Sequence, residues 1–97
     1  MRILLADNQP KVRCALRVLL KRQPGLQIIG EAIDAQDLLE QTAQLSPDLI
    51  LLGWELPGRS TADLLPSLRS ICSPLLIIAL SGRLEARQLA LDCGADA

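Results

Sequence analysis

The sequence predicts an α/β domain in three layers, with one parallel sheet between helices on both faces. Three observations carry this. Short continuous apolar runs recur, at Ile3–Ala6, Ile28–Ile29, Leu49–Leu52 and Leu75–Leu80. Continuous rather than alternating apolarity marks strands buried on both faces. Each run is followed by a segment of helical periodicity, and no hairpin signal joins any two of them. Strands separated by single helices build right-handed βαβ units.

The elements follow in order. Arg2–Ala6 is the first strand. Pro10 opens the first helix, where its missing N–H does no harm. Val12, Ala15, Leu16, Leu19 and Leu20 form the expected inner face, and Lys11, Arg13, Arg17, Lys21 and Arg22 the wet one. Pro24-Gly25 ends this helix. Leu26 to Gly30 reads as the second strand. Asp34 is placed to cap the second helix, with Asp37 three residues on. Leu38, Leu39, Thr42, Ala43 and Leu45 give that helix its expected inner face, and Ser46-Pro47 breaks it. Asp48–Gly53 is the third strand and the most apolar, so it is expected near the centre. A loop from Trp54 to Arg59 leads to Ser60 and Asp63, a capping-box-like start for a third helix reaching about Ile71. Pro66 inside that helix is expected to kink it or delay its start. Pro74 precedes the fourth strand, Leu75–Leu80, and Ser81-Gly82-Arg83 forms a loop. A fourth helix then carries Leu84, Leu89, Ala90 and Cys93 inward, with Gly94 as its stop.

Composition narrows the function. Apolar residues make up 49% of the 97 residues but aromatics only 1%, so the core is aliphatic and Trp54 is the sole aromatic. Net charge is −1, with both signs along the chain and no basic arm of the kind that binds nucleic acid. No apolar run approaches the length of a membrane span, and Met1 leads directly into a strand rather than a signal peptide. Cys14, Cys72 and Cys93 are scattered, no C-x-x-C occurs, and there is no histidine. This argues against zinc sites and Cys–His catalysis. Small buried or half-buried thiols in a reducing, cytoplasmic setting are expected instead.

Open parallel sheets place their functional residues beyond the carboxyl ends of the strands, where strand order reverses. With a flavodoxin-like order of 2-1-3-4, those residues are Asp7, Asn8 and Gln9, then Gly53, Trp54 and Glu55, then Ser81 and Gly82. The first turn, Ala6-Asp7-Asn8-Gln9-Pro10, contains no glycine, so neither a dinucleotide fingerprint nor a phosphate-cradling loop is present. What remains is a shallow, mildly acidic pocket. Asp7 either belongs to it or caps the first helix. Asn8 reads as a turn residue and Glu55 as a solvated carboxylate. Trp54 is either a partner-binding anchor or a loop residue packed on its neighbours.

The order of motifs resembles the receiver domain of bacterial two-component response regulators, of the type that precedes a helix-turn-helix output domain. The resemblance is carried by Ile3-Leu4-Leu5-Ala6-Asp7-Asn8-Gln9-Pro10 and Ile29-Gly30-Glu31-Ala32. It continues through Pro47-Asp48-Leu49-Ile50-Leu51-Leu52-Gly53-Trp54-Glu55-Leu56-Pro57-Gly58, Ile77-Ile78-Ala79-Leu80-Ser81-Gly82 and Gly94-Ala95-Asp96-Ala97. It implies a phosphoacceptor aspartate at the end of the third strand, and that position is Gly53, five residues before Gly58. It implies two acidic Mg²⁺ ligands after the first strand, matched by Asp7 alone because Asn8 replaces the second. Ser81 matches the hydroxyl residue that senses the phosphoryl group. Residues 1–97 are then one receiver-like unit without the family's strand-five lysine, fifth strand and fifth helix.

With the acceptor carboxylate gone and a second one neutralised, Mg²⁺ is expected to bind no tighter than about millimolar. No other cofactor is implied. The favoured reading is a non-enzymatic, phosphorylation-independent interaction or dimerisation module of a transcriptional regulator, reaching DNA only through an output domain. The open edge of the fourth strand is the expected contact for another copy or a protein partner. Two alternatives stay open: a receiver switched by another acceptor or a small ligand, and a fragment of a flavodoxin-like small-molecule enzyme.

Overall fold

A computed structural model describes residues 1–81, 91–92 and 95–97. The elements are β1 (Arg2–Ala6), α1 (Pro10–Lys21), β2 (Gln27–Ala32), α2 (Ala35–Leu45), β3 (Leu49–Gly53), α3 (Thr61–Ile71) and β4 (Leu76–Leu80). The fourth-helix residues Leu84, Leu89, Ala90, Cys93 and Gly94, and the loop residues Gly82 and Arg83, lie outside the described residues.

The strands run parallel in the order β2-β1-β3-β4. The apolar run of β3 is buried at all five positions, as expected of a central strand. Period-two alternation along the strands sends alternate side chains to opposite faces. Leu4, Ala6, Ile50, Leu52 and Ile77 enter the larger core with Leu38 of α2 and Leu64, Leu65 and Leu68 of α3. Ile3, Leu5, Leu49 and Leu51 face the other way, toward Leu16 and Leu20 of α1. The result is three layers, with α1 on one side of the sheet and α2 and α3 on the other.

Several local expectations need correction. Helix α1 contains no buried residue; Ala15 is exposed and Leu19 is 59% exposed, although both were expected inward. Ala43 of α2 is exposed as well. Cys14 is exposed rather than buried, while Cys72 is half-buried with its thiol toward the Pro47 carbonyl. Helix α2 is capped as its sequence predicts. The Asp34 carboxylate accepts the Asp37 N–H at 2.8 Å, and the Asp37 carboxylate accepts the Ile33 N–H at 3.2 Å. Helix α3 is different: Ser60 stands at its N-cap without a side-chain bond, and only its carbonyl receives the Asp63 and Leu64 N–H groups. Pro66 lies within the continuous helix on its exposed side.

The edge of β4 is not bare. Asp96 donates its backbone N–H to the Ile77 carbonyl at 2.9 Å, and the Ala97 carbonyl accepts the Ala79 N–H at 2.7 Å. The outward groups of Ile77 and Ala79, expected open for a partner, are thus partly occupied by residues 96 and 97. The Asp96 carboxylate fastens this contact, accepting from Arg69 and from the Ile77 N–H, both at 2.9 Å. The hydrogen bond from Arg69, then that from Ile77, holds the Asp96 carboxyl below its usual value, against a smaller opposing push from burial. A depressed folded value stabilises the fold above the unfolded value and loses that contribution as pH falls through the folded one. Asp96→Asn is therefore expected to flatten part of the acid limb of a urea-midpoint-versus-pH curve. The effect is small, because the half-exposed pair is screened by solvent. Curves that run parallel below about pH 4 would show that the carboxylate contributes nothing.

Candidate functional site

The carboxyl ends of β1, β3 and β4 meet at one edge of the sheet. The register pairs Ala6 with Leu52, and Gly53 with Leu80, so the residues just beyond them converge. They line an open cleft of about 540 Å³ that gathers Asp7, Asn8, Gly53, Trp54, Glu55 and Ser81. Every site residue expected from the sequence and described in the structure is there. Val12, Leu56 and Leu80 supply apolar wall, and no Lys or Arg is among the described lining residues.

Asp7 lies in the cleft and does not cap α1, whose N-cap is Gln9 without a side-chain cap bond. Asp7 Oδ1 accepts the Gln9 N–H at 2.8 Å, a side-chain turn leading into the Gln9 N-cap of α1. Its Oδ2 lies only 2.5 Å from where a Cβ on residue 53 would stand. The Asp7 carboxylate therefore fills the space left by the missing side chain of Gly53. Around it the backbone is fastened. Asp7 donates its N–H to the Ala32 carbonyl at 3.0 Å, and its own carbonyl receives Arg13 Nη1 at 2.7 Å. Arg13 also meets Glu31 at 3.1 Å, and Arg17 meets the other Glu31 oxygen at 3.4 Å. One largely buried guanidinium thus joins α1, β2 and the turn that carries Asp7.

The loop after β3 is held at three points. Trp54 donates its N–H to the Leu80 carbonyl at 2.8 Å. The Trp54 carbonyl accepts the buried Thr61 hydroxyl at 2.6 Å. Further on, the Pro57 carbonyl accepts the Ala35 N–H at the start of α2 at 2.9 Å. Gly58 is needed at that docking point: φ is +110°, and a Cβ would stand 3.1 Å from the Ala35 Cβ. The Trp54 ring is half-buried against the larger core, while Glu55 and Ser81 are exposed.

Sequence reasoning missed the Arg13 clamp and the Thr61 latch. Arg13 had a usable signal, since a first-turn helix residue can reach back to the preceding turn. Thr61 had none, because its partner is a backbone carbonyl seven residues away.

The donor set does not fit Mg²⁺. An octahedral oxygen site draws on more than one protein ligand. Here Gly53 has no side chain and Asp7 spends one oxygen on Gln9. Among the described residues no group of three His, Cys, Asp or Glu side chains comes together.

Residues 3–97 match the model of the response regulator receiver domain. The chain belongs to that family. It is 33% identical over 96 residues to the nitrate/nitrite response regulator protein NarL of Escherichia coli K12, covering 97% of this chain and 44% of NarL. It is also 33% identical over 90 residues to the protein-glutamate methylesterase/protein-glutamine glutaminase 5 of Myxococcus xanthus, covering 93% of this chain and 26% of that protein. Among solved structures, a LuxR-family two-component response regulator from Aurantimonas superposes with a TM-score of 0.86 at 29% identity, covering 97% of this chain and 69% of that one. The receiver thus spans less than half the length of these curated relatives. Its parallel sheet order of 2-1-3-4 is that of the flavodoxin-like receiver fold. No helix among the described residues is long and apolar enough to cross a membrane.

Proposed function

We propose that this receiver acts in two-component signalling without phosphorylation at the end of β3, as a protein-interaction module of a transcriptional regulator. The observation that supports it is Gly53. By analogy with the family the phosphoacceptor would stand at that position, and glycine has no carboxylate to accept a phosphoryl group. The Asp7 carboxylate, which the family would give to Mg²⁺, lies in the space beside Gly53 and accepts the Gln9 N–H. The cleft has no histidine to activate a nucleophile, which favours a binding role over an enzymatic one. DNA contact would come through an output region of a longer cytoplasmic protein, by analogy with the regulators the chain resembles. The partly exposed edge of the Trp54 ring is a candidate partner contact.

Intact mass after incubation with acetyl phosphate and Mg²⁺ tests this, with Gly53→Asp as the control. The parent is expected to stay unmodified while the variant gains one phosphoryl group. A phosphorylated parent would overturn the reading and make Asp7 and Glu55 the acceptors to map.

A further inference from the structure

Helices α1 and α2 carry opposite charge. Between Asn8 and Gly30 there are five cations (Lys11, Arg13, Arg17, Lys21 and Arg22) and no acid. Arg13 and Arg17 share Glu31, so Lys11, Lys21 and Arg22 remain to face solvent around α1. Helix α2 is the converse: it holds Asp37 and Glu40, is capped by Asp34, and contains no cation. The two helices lie on opposite faces of the sheet, so the basic surface of α1 and the acidic surface of α2 point away from each other.

The basic side also leaves apolar surface uncovered. Val18 is 49% exposed and Leu19 59%. On the same side a groove of about 350 Å³ is lined by Leu20, Leu26, Arg17 and Lys21, with Glu31 as its one acid. The outer face of α2 presents Glu40, Gln36 and Gln44, side chains with a polar end on an aliphatic stem.

We infer that the α1 face of one copy docks on the α2 face of a second copy, giving a weak head-to-tail association. A symmetric α1–α1 contact would set cations against cations, and an α2–α2 contact acids against acids. Only the unlike pairing is attractive, and it leaves one free face of each kind, so it can propagate. The net charge of −1 adds little repulsion between whole molecules. One helix against another buries less than the roughly 1,200 Å² of a stable complex, so the contact is transient and salt-sensitive. This names a partner for the interaction module proposed above and rests on that reading.

Sedimentation of the 97-residue chain over a range of concentrations, in low and in high salt, tests it. The parent is expected to gain average mass with concentration at low salt and to revert to monomer at high salt. Two doubly substituted variants, Lys11→Glu with Lys21→Glu and Glu40→Lys with Gln44→Lys, are each expected to weaken self-association at least ~10-fold. Their circular dichroism checks that both fold. An equimolar mixture, which restores one basic α1 face opposite one acidic α2 face, is expected to regain association. A parent that stays monomeric at low salt overturns the proposal, as does a variant that associates as the parent does. A silent mixture or an association indifferent to salt overturns it too. None of these outcomes depends on phosphoryl transfer, so a phosphorylated parent in the mass experiment is a separate failure.

Discussion

Replacing Gly53 by aspartate is expected to destabilise the receiver by about 1–3 kcal/mol near neutral pH and to make its stability depend on Mg²⁺. The new Cβ would stand 2.5 Å from Asp7 Oδ2 and 3.2 Å from the Ala6 carbonyl oxygen. The Ala6 carbonyl is backbone beside a paired strand and has little room to move. Asp7 can rotate, but only by giving up the Gln9 N–H, a bond worth on the order of 1 kcal/mol. The two carboxylates then share one cleft, and their like charges repel. Loss of glycine's freedom in the unfolded chain offsets roughly 0.5–1 kcal/mol of the total. Mg²⁺ relieves the repulsion and stabilises by mass action only the form that binds it. Thermal unfolding of parent and variant, with and without Mg²⁺, measures the penalty and its relief. A variant as stable as the parent and blind to Mg²⁺ would mean that Asp7 does not fill the Gly53 space.

The layers and the cleft were legible in the sequence because each has a local cause, whereas the strand order rested on likeness to a flavodoxin-like fold. An unbroken apolar run such as Leu49–Leu52 has only one comfortable place, the middle of a sheet covered on both faces. The site residues were legible for the same reason: residues just past parallel strands must emerge at one edge. What sequence could not supply is what lies opposite each face. Ala15 and Leu19 recur at helical spacing with Leu16 and Leu20, but the stripe is wider than the surface that receives it. Leu16 and Leu20 meet the sheet and the others face outward. The Ser60 signature failed because a capping box describes residue types, while the bond depends on a side-chain rotamer. The docking of Asp96 and Ala97 on β4 has no pattern at all in a stretch of four small or acidic residues. The opposition of a basic α1 surface and an acidic α2 surface became visible only when the two helices were placed on opposite faces.

Leu52→Ala is expected to cost about 3–5 kcal/mol, and Leu51→Ala at least ~1 kcal/mol less, although the residues are neighbours in the same buried strand. The side chains point to opposite faces. Leu52 is fully buried in the larger core, where α2 and α3 hold Leu38, Leu64, Leu65 and Leu68 around it. Helices packed on both flanks cannot collapse onto the vacated volume, so the cavity remains and adds to the lost transfer energy. Leu51 is 8% exposed and belongs to the smaller cluster, covered among the described residues by α1 alone. Its neighbours on β4 include half-buried Ile78 and Leu80, which have room to shift into the gap. Domains are stable by only about 5–15 kcal/mol, and small ones sit low in that range, so the Leu52 loss alone brings the chain close to unfolding. Urea midpoints at unchanged slope measure the difference directly. Equal costs at the two positions would mean that α1 seals its side of the sheet as tightly as α2 and α3 seal theirs. The exposed Val18 and Leu19 would then no longer mark a loosely covered layer.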